Sequence, residues 1–172
     1  VSAFEEAKLR SSSLHLMGLV SDGGVHSHIE HLFALIKMAK DIGVKDINIH
    51  CFMDGRDTPP KIGHEYIKSL QDFIDGVGVG KIATVIGRYY AMDRDKRWER
   101  VEKAYRAIVL GEGRLAPSGI DAINMAYNNG ETDEFVIPTV IVDSNAVGLG
   151  RMKDGDIAIG YNFRADRMRE IS

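Results

Sequence analysis

An apolar run from Leu14 to Val20 stops at Ser21-Asp22-Gly23-Gly24, after which Ile29, Leu32, Phe33, Ile36 and Ala39 recur at helical spacing up to Gly43. That order predicts strand, loop, helix. It returns at once: Asp46–Met53 predicts a second strand, Asp54-Gly55-Arg56-Asp57-Thr58-Pro59-Pro60 a loop, and Tyr66, Ile67, Leu70, Phe73 and Ile74 the inner face of a helix broken by Gly76–Gly80. A third unit runs from Lys81–Ile86 through the polar stretch Gly87–Asp95 into a helix whose predicted inner face is Trp98, Val101, Tyr105 and Ile108.

Three such units in series predict an α/β fold, a three-layer α/β/α arrangement around a mostly parallel sheet, because parallel neighbours need a crossover that a helix supplies. Further on, Ser118 is placed to cap a helix over Gly119–Tyr127 that ends at Asn128-Asn129-Gly130. Two short strands are expected after it, Phe135–Val142 interrupted by Pro138, and Asp156–Ile159, before the closing Asn162-Phe163-Arg164-Ala165-Asp166-Arg167. Residues 1–172 read as one domain, without low-complexity tracts or repeats.

Composition narrows the function. The chain is 44% hydrophobic and 27% charged with a net charge of -3, so it lacks the basic surface that nucleic acid or an anionic membrane requires. No apolar run approaches the roughly 20 residues that span a bilayer. The single cysteine, Cys51, lies in a predicted strand, where a buried thiol fits a reducing, cytoplasmic setting.

Four polar loops follow predicted strands: Asp22–His28, Asp54–Pro60, Arg88–Arg97 and Asn162–Arg167. In an open parallel sheet the carboxyl ends of the strands share one edge, where ligands bind, so these loops should converge. They would bring Arg56, Arg88, Arg94, Arg164 and Arg167 together with His26 and Asp57. Guanidinium groups offer flat forks of donors matched to carboxylate and phosphate, so the set points to a small, multiply charged anion.

Each residue also has a plainer reading. An arginine in a first helical turn often pairs with a neighbouring carboxylate or faces water, and Arg97 and Arg100 fit a solvated face. Asp57 is placed to cap the next helix, to pair with an arginine, or to accept a substrate hydroxyl proton. His26-Ser27-His28 has the spacing of a metal pair, yet no Cys or Glu completes a coordination set nearby; His28 and His31 suit capping or surface roles. Tyr89 and Tyr90 suit pocket lining or packing, and no nucleotide-binding loop is present.

Taken together, the strings Leu16–His28, Asp54–Pro60, Gly87–Arg94 and Asn162–Arg167 resemble the cofactor-independent (2,3-bisphosphoglycerate-independent) phosphoglycerate mutases, in order and spacing, over nearly the whole chain. The resemblance implies most of the substrate-binding insert of such an enzyme, which holds and turns a glycerate while an alkaline-phosphatase-like domain carries a serine and two manganese ions. That second domain has no counterpart in this sequence, so no metal is expected here. The substrate it implies is 3-phosphoglycerate or 2-phosphoglycerate, the partner is the phosphatase-like domain of the same chain, and the implied state is a cytoplasmic monomer.

By the same resemblance His26 contacts the transferring phosphoryl group, Arg56 and Asp57 bind the glycerate with Asp57 as acid/base, and Arg88, Arg94, Arg164 and Arg167 grip carboxylate and phosphate. A stand-alone anion-binding module, or a metal hydrolase using His26 and His28, are the alternatives the residues leave open.

Overall fold

The computed structural model describes residues 1–172. Its strands are β1 (Leu14–Leu19), β2 (Ile47–Met53), β3 (Lys81–Gly87), β4 (Arg114–Ala116), β5 (Thr139–Ile141) and β6 (Ile157–Gly160). Its helices are α1 (Ser2–Arg10), α2 (Ile29–Ile42), α3 (Gly63–Val77), α4 (Arg88–Ala91), α5 (Trp98–Tyr105) and α6 (Gly119–Asn128). One sheet holds the strands in the order β4-β5-β3-β2-β1-β6. β1, β2, β3 and β6 run parallel; β4 and β5 are parallel to each other, and β5 meets β3 antiparallel.

Every residue of β1 and β2 is buried, as expected of central strands covered on both faces. On one face Leu14, Leu16, Ile47, Ile49, Cys51 and Val85 meet Leu32, Ile36, Ile67, Leu70 and Ile123 of α2, α3 and α6. On the other, Met17, Leu19, Phe52 and Ile86 meet Ala91, Met92, Val101, Ala104 and Ile108. Helices therefore cover both faces, and the three-layer α/β/α architecture with a mostly parallel sheet stands. Each large aliphatic side chain so buried contributes about 1.5–3 kcal/mol, so the alternating strand faces fix the layer order.

Local departures have local causes. α5 turns Val101, Ala104 and, through a π turn at Arg106–Leu110, Ala107 and Ile108 to the sheet, while Trp98 and Tyr105, expected inside, are 56% and 50% exposed. Two alanines let the helix approach Phe52 and Ile86 closely, and the bulky rings take the outer face. The strand expected over Phe135–Val142 shrinks to Thr139–Ile141, because Asp133–Phe135 forms a 3-10 turn and Pro138 has no N–H to give a ladder. α1, β4 and the single turn α4 were not foreseen: α1 buries only Phe4 and Ala7, and β4 is three residues long.

Candidate functional site

Because β1, β2, β3 and β6 run the same way, the loops that leave their carboxyl ends collect on one edge. Hydrogen bonds tie those loops to one another. The Phe163 N–H donates to the His26 carbonyl at 2.8 Å, and Asn162 Oδ1 accepts from the Leu19 N–H at 2.9 Å. Ser21 Oγ donates to Asp54 Oδ2 at 2.7 Å, and an Arg167 NH1 donor reaches the Met92 carbonyl at 3.0 Å.

Arg88 stands at the centre, its side chain only 3% exposed, where β3 ends and α4 begins. Its NH1 donates to Asp54 Oδ1 and to Asp57 Oδ2, both at 2.7 Å. Asp54 Oδ1 also accepts from the backbone N–H of Arg56 at 3.2 Å and of Asp57 at 3.0 Å, which wraps the loop around the carboxylate. Gly55 permits the wrap: its φ is +69°, and a Cβ there would lie 2.8 Å from the Glu134 nitrogen. Burial by itself would raise the Asp54 pKa, but the Asp57 N–H, the Ser21 hydroxyl and Arg88 together hold it below the usual carboxylate range.

His26 is buried with Nε2 3.9 Å from Asp57 Oδ2, and its Nδ1 has no protein partner. Burial, then the positive charges of Arg88 and Arg164, pull its pKa below the ordinary histidine value despite Asp57. The imidazole is therefore neutral at pH 7 and can offer one N–H and one lone pair.

Outside this core lie the more exposed cations. Arg94 and Arg164 both reach Asp166, at 3.2 and 3.4 Å, and Arg56 lies 3.7 Å from Glu134. Burial, then the charges of Arg94, Arg88 and Arg56, pulls the Arg167 pKa down, which is the electrostatic mark of cations crowded together. Its Nε is buried and unpartnered. Such an edge attracts an anion carrying more than one charge.

The structure thus brings His26, Arg56, Asp57, Arg88, Arg94, Arg164 and Arg167 to one edge. Asp57 does not cap a helix; it pairs with Arg88, and the N-terminal amides of α3 at Ile62 and Gly63 bond Asp133 instead. His28 caps α2, its Nδ1 accepting from the Glu30 N–H at 3.3 Å. Arg100, expected in solvent, is half-buried: it lies over the Tyr89 ring at 4.0 Å and 3.4 Å from Asp93. Tyr89 packs on Tyr90 and Phe135, a packing role rather than a lining one.

Asp54, Ser21 and Asp166 were missed as members of the site. The Asp-Gly pair at a strand end was the available signal for Asp54, since an aspartate there bonds amides two and three residues on. No three His, Cys, Asp or Glu side chains gather into a group able to hold a metal ion. A cavity of about 550 Å³ lies away from the arginines, lined by Met17, Tyr105, Ile108, Met152 and Ile171, and its apolar wall does not suit a small anion.

Fold and site together define an α/β domain that gathers arginines around a buried histidine and a carboxylate at the carboxyl edge of the parallel strands. The family described as "BPG-independent PGAM N-terminus" matches residues 1–172, and the chain belongs to that family. It is 55% identical over 172 residues to the 2,3-bisphosphoglycerate-independent phosphoglycerate mutase of Clostridium perfringens strain SM101, covering 100% of this chain and 33% of that protein. It is 54% identical over 171 residues to the enzyme of the same name from Methanococcoides burtonii, covering 99% and 33%. A crystal structure of Leishmania mexicana phosphoglycerate mutase at low cobalt concentration superposes with a TM-score of 0.94 at 35% identity, over 99% of this chain and 33% of that one. The chain therefore spans about a third of the length of these relatives.

Proposed function

We propose that this chain is the glycerate-holding part of a 2,3-bisphosphoglycerate-independent phosphoglycerate mutase that interconverts 3-phosphoglycerate and 2-phosphoglycerate in the cytoplasm. The observation that supports it is the juxtaposition of a neutral His26 and a carboxylate, Asp57, with five arginines at one edge. The reaction needs that combination. A glycerate must stay bound while its phosphate leaves one hydroxyl and returns to the other, so fixed cations hold its carboxylate while one base serves both oxygens.

In this reading Arg56, Arg94, Arg164 and Arg167 clamp the substrate's charged ends. Asp57 Oδ2 takes the proton of whichever hydroxyl accepts phosphate and gives it back to the one that loses it. His26 Nε2 faces the phosphoryl group. The phosphate is held meanwhile on a serine outside this chain. The same remaining part of the protein is proposed to bind two manganese ions, which would supply Lewis-acid stabilisation of the transferring phosphoryl group.

The test uses the full-length protein. Asp57→Ala is expected to lower kcat for 3-phosphoglycerate by about 100-fold or more, the range for loss of a positioned acid/base. Arg94→Ala is expected to raise KM by about tenfold, as for a lost charge-assisted bond of 1.4 kcal/mol or more. Unchanged activity in both variants would overturn the assignment, and tight binding of 3-phosphoglycerate without turnover by the full-length protein would favour an anion-binding module.

A further inference from the structure

Asp54 touches three of the four loops that build the site and is closed off from solvent by the groups that bond it. It is 2% exposed. Its Oδ2 receives the Ser21 hydroxyl from the loop after β1, at 2.7 Å. Its Oδ1 receives the amides of Arg56 and Asp57 in its own loop, and Arg88 at the end of β3, at 3.2, 3.0 and 2.7 Å. One carboxylate therefore fixes the backbone from which Asp57 projects and also the guanidinium that holds the far end of the Asp57 side chain at 2.7 Å.

We infer that Asp54 is the positioning residue of this site, setting the place and orientation of the Asp57 carboxylate without touching substrate. The inference rests on the proposed role of Asp57 in glycerate chemistry. Its physical basis is that Asp57 is held at both ends by groups that meet on Asp54. Asp57 itself is partly open to solvent, 22% exposed at its side chain, so no packing replaces that grip. A misplacement of about 1 Å in a reacting group costs about 100-fold in rate, and supporting side chains exist to prevent it. Arg94 and Arg164 bond Asp166 and none of the Asp54 ligands, so their hold on an anion survives a change at Asp54. Turnover should fall while binding stays.

Four variants of the full-length protein form the test, with 3-phosphoglycerate as substrate: Asp54→Ala, Asp54→Asn, Ser21→Ala and, as reference, Asp57→Asn. Asp54→Asn keeps an oxygen for the two amides and Arg88, so it should retain kcat within about tenfold, whereas Asp54→Ala should lose about 100-fold, the scale for a displaced reacting group. KM should move by less than about threefold in both, since Arg94, Arg164 and Arg167, three of the four clamping arginines, are anchored on Asp166 and the Met92 carbonyl and not on Asp54. Ser21→Ala, which removes one of the four bonds, should lower kcat several-fold in a protein with wild-type melting.

If Asp54→Ala fails to melt cooperatively, Ser21→Ala and Asp54→Asn carry the decision. Full kcat in both overturns the inference. A rise in KM at constant kcat in any Asp54 variant also overturns it, since that is the signature of lost binding. Should Asp57→Asn keep full activity, the reading of Asp57 itself falls. Asp57→Asn inactive with all Asp54 and Ser21 variants at wild-type kcat removes only the positioning role.

Discussion

Arg88 joins two carboxylates in a place water barely reaches, and that makes it as much a part of the fold as of the site. Removing one partner of a buried ion pair strands the other charge, which costs about 3–5 kcal/mol, whereas replacing both by apolar groups is often close to neutral. Arg88→Met should therefore destabilise the chain by about 3–5 kcal/mol, and the double variant Arg88→Met with Asp54→Leu should recover part of that loss. Urea unfolding of the four members of the cycle measures it; a cost below about 1 kcal/mol for Arg88→Met would place the pair with weak surface bridges. The exposed cations behave differently. Arg94 and Arg164 share Asp166 at the surface, a contact that contributes little to stability, so their substitution should change ligand binding and leave melting nearly untouched.

At the scale of elements, the junction of β3 and α4 aims Arg88, and it depends on a close backbone crossing. The Gly87 N–H donates to the Val136 carbonyl at 2.8 Å, and a Cβ at Gly87 would lie 2.3 Å from the Glu134 carbonyl oxygen and 2.6 Å from the Val136 nitrogen. Backbone cannot yield as a side-chain tip can. Gly87→Ala should cost about 1–3 kcal/mol, as overpacking does, and shift Arg88 away from Asp54. Thermal melting reads the first effect, and a fall in kcat at nearly constant KM in the full-length protein reads the second, since Arg88 holds Asp57 in place.

The same crossing shows what sequence could and could not reveal at this scale. Strands β1, β2 and β3, helices α2, α3 and α6, and the convergence of the arginine loops followed from apolar runs and periodicity, because each depends on local pattern alone. The 3-10 turn at Asp133–Phe135 and the pairing of β5 with β3 depend on contacts between segments distant in sequence, so no local pattern carried them, whereas the wrap of residues 54–57 around Asp54 is local and its Asp-Gly signal was legible. For α5 and the π turn after it the periodicity was visible and Val101 and Ile108 do face the sheet as expected, but Ala104 and Ala107 lie beside them where Trp98 and Tyr105 were expected.

For the molecule as a whole, the two ends of the sheet have opposite polar characters, and the end away from the arginines governs the response to acid. There His15 and His50, both fully buried and without any signal in the sequence, form a chain with Thr84 and Asp156. The Asp156 carboxylate accepts, so His15 Nε2 donates to it at 3.1 Å; a neutral His15 then accepts at Nδ1 from His50 Nε2 at 2.9 Å, and His50 accepts at Nδ1 from the Thr84 hydroxyl at 3.0 Å. The relay cannot close with both rings protonated, because the facing nitrogens, His15 Nδ1 and His50 Nε2, would then both be donors. Burial pulls His50 from 6.5 down to about 3, with His15 adding to the effect, and burial lowers His15 as well, though Asp156 opposes it. Below pH 6.5 the unfolded chain takes up protons that the folded chain refuses, so stability present above that pH is lost as pH falls toward the folded values. At about 1.4 kcal/mol per pH unit, His50 alone should remove about 2 kcal/mol between pH 7 and pH 5. Lowered His26 pulls the same way, while the depressed carboxylates Asp46, Asp54 and Asp93 act only below their ordinary value of 3.8. Urea midpoints measured at pH 7 and pH 5 should therefore fall for the native chain and fall less for His50→Gln, which can still bond His15 and Thr84 but binds no proton. An equal fall in both would mean that the buried histidines are not what acid attacks.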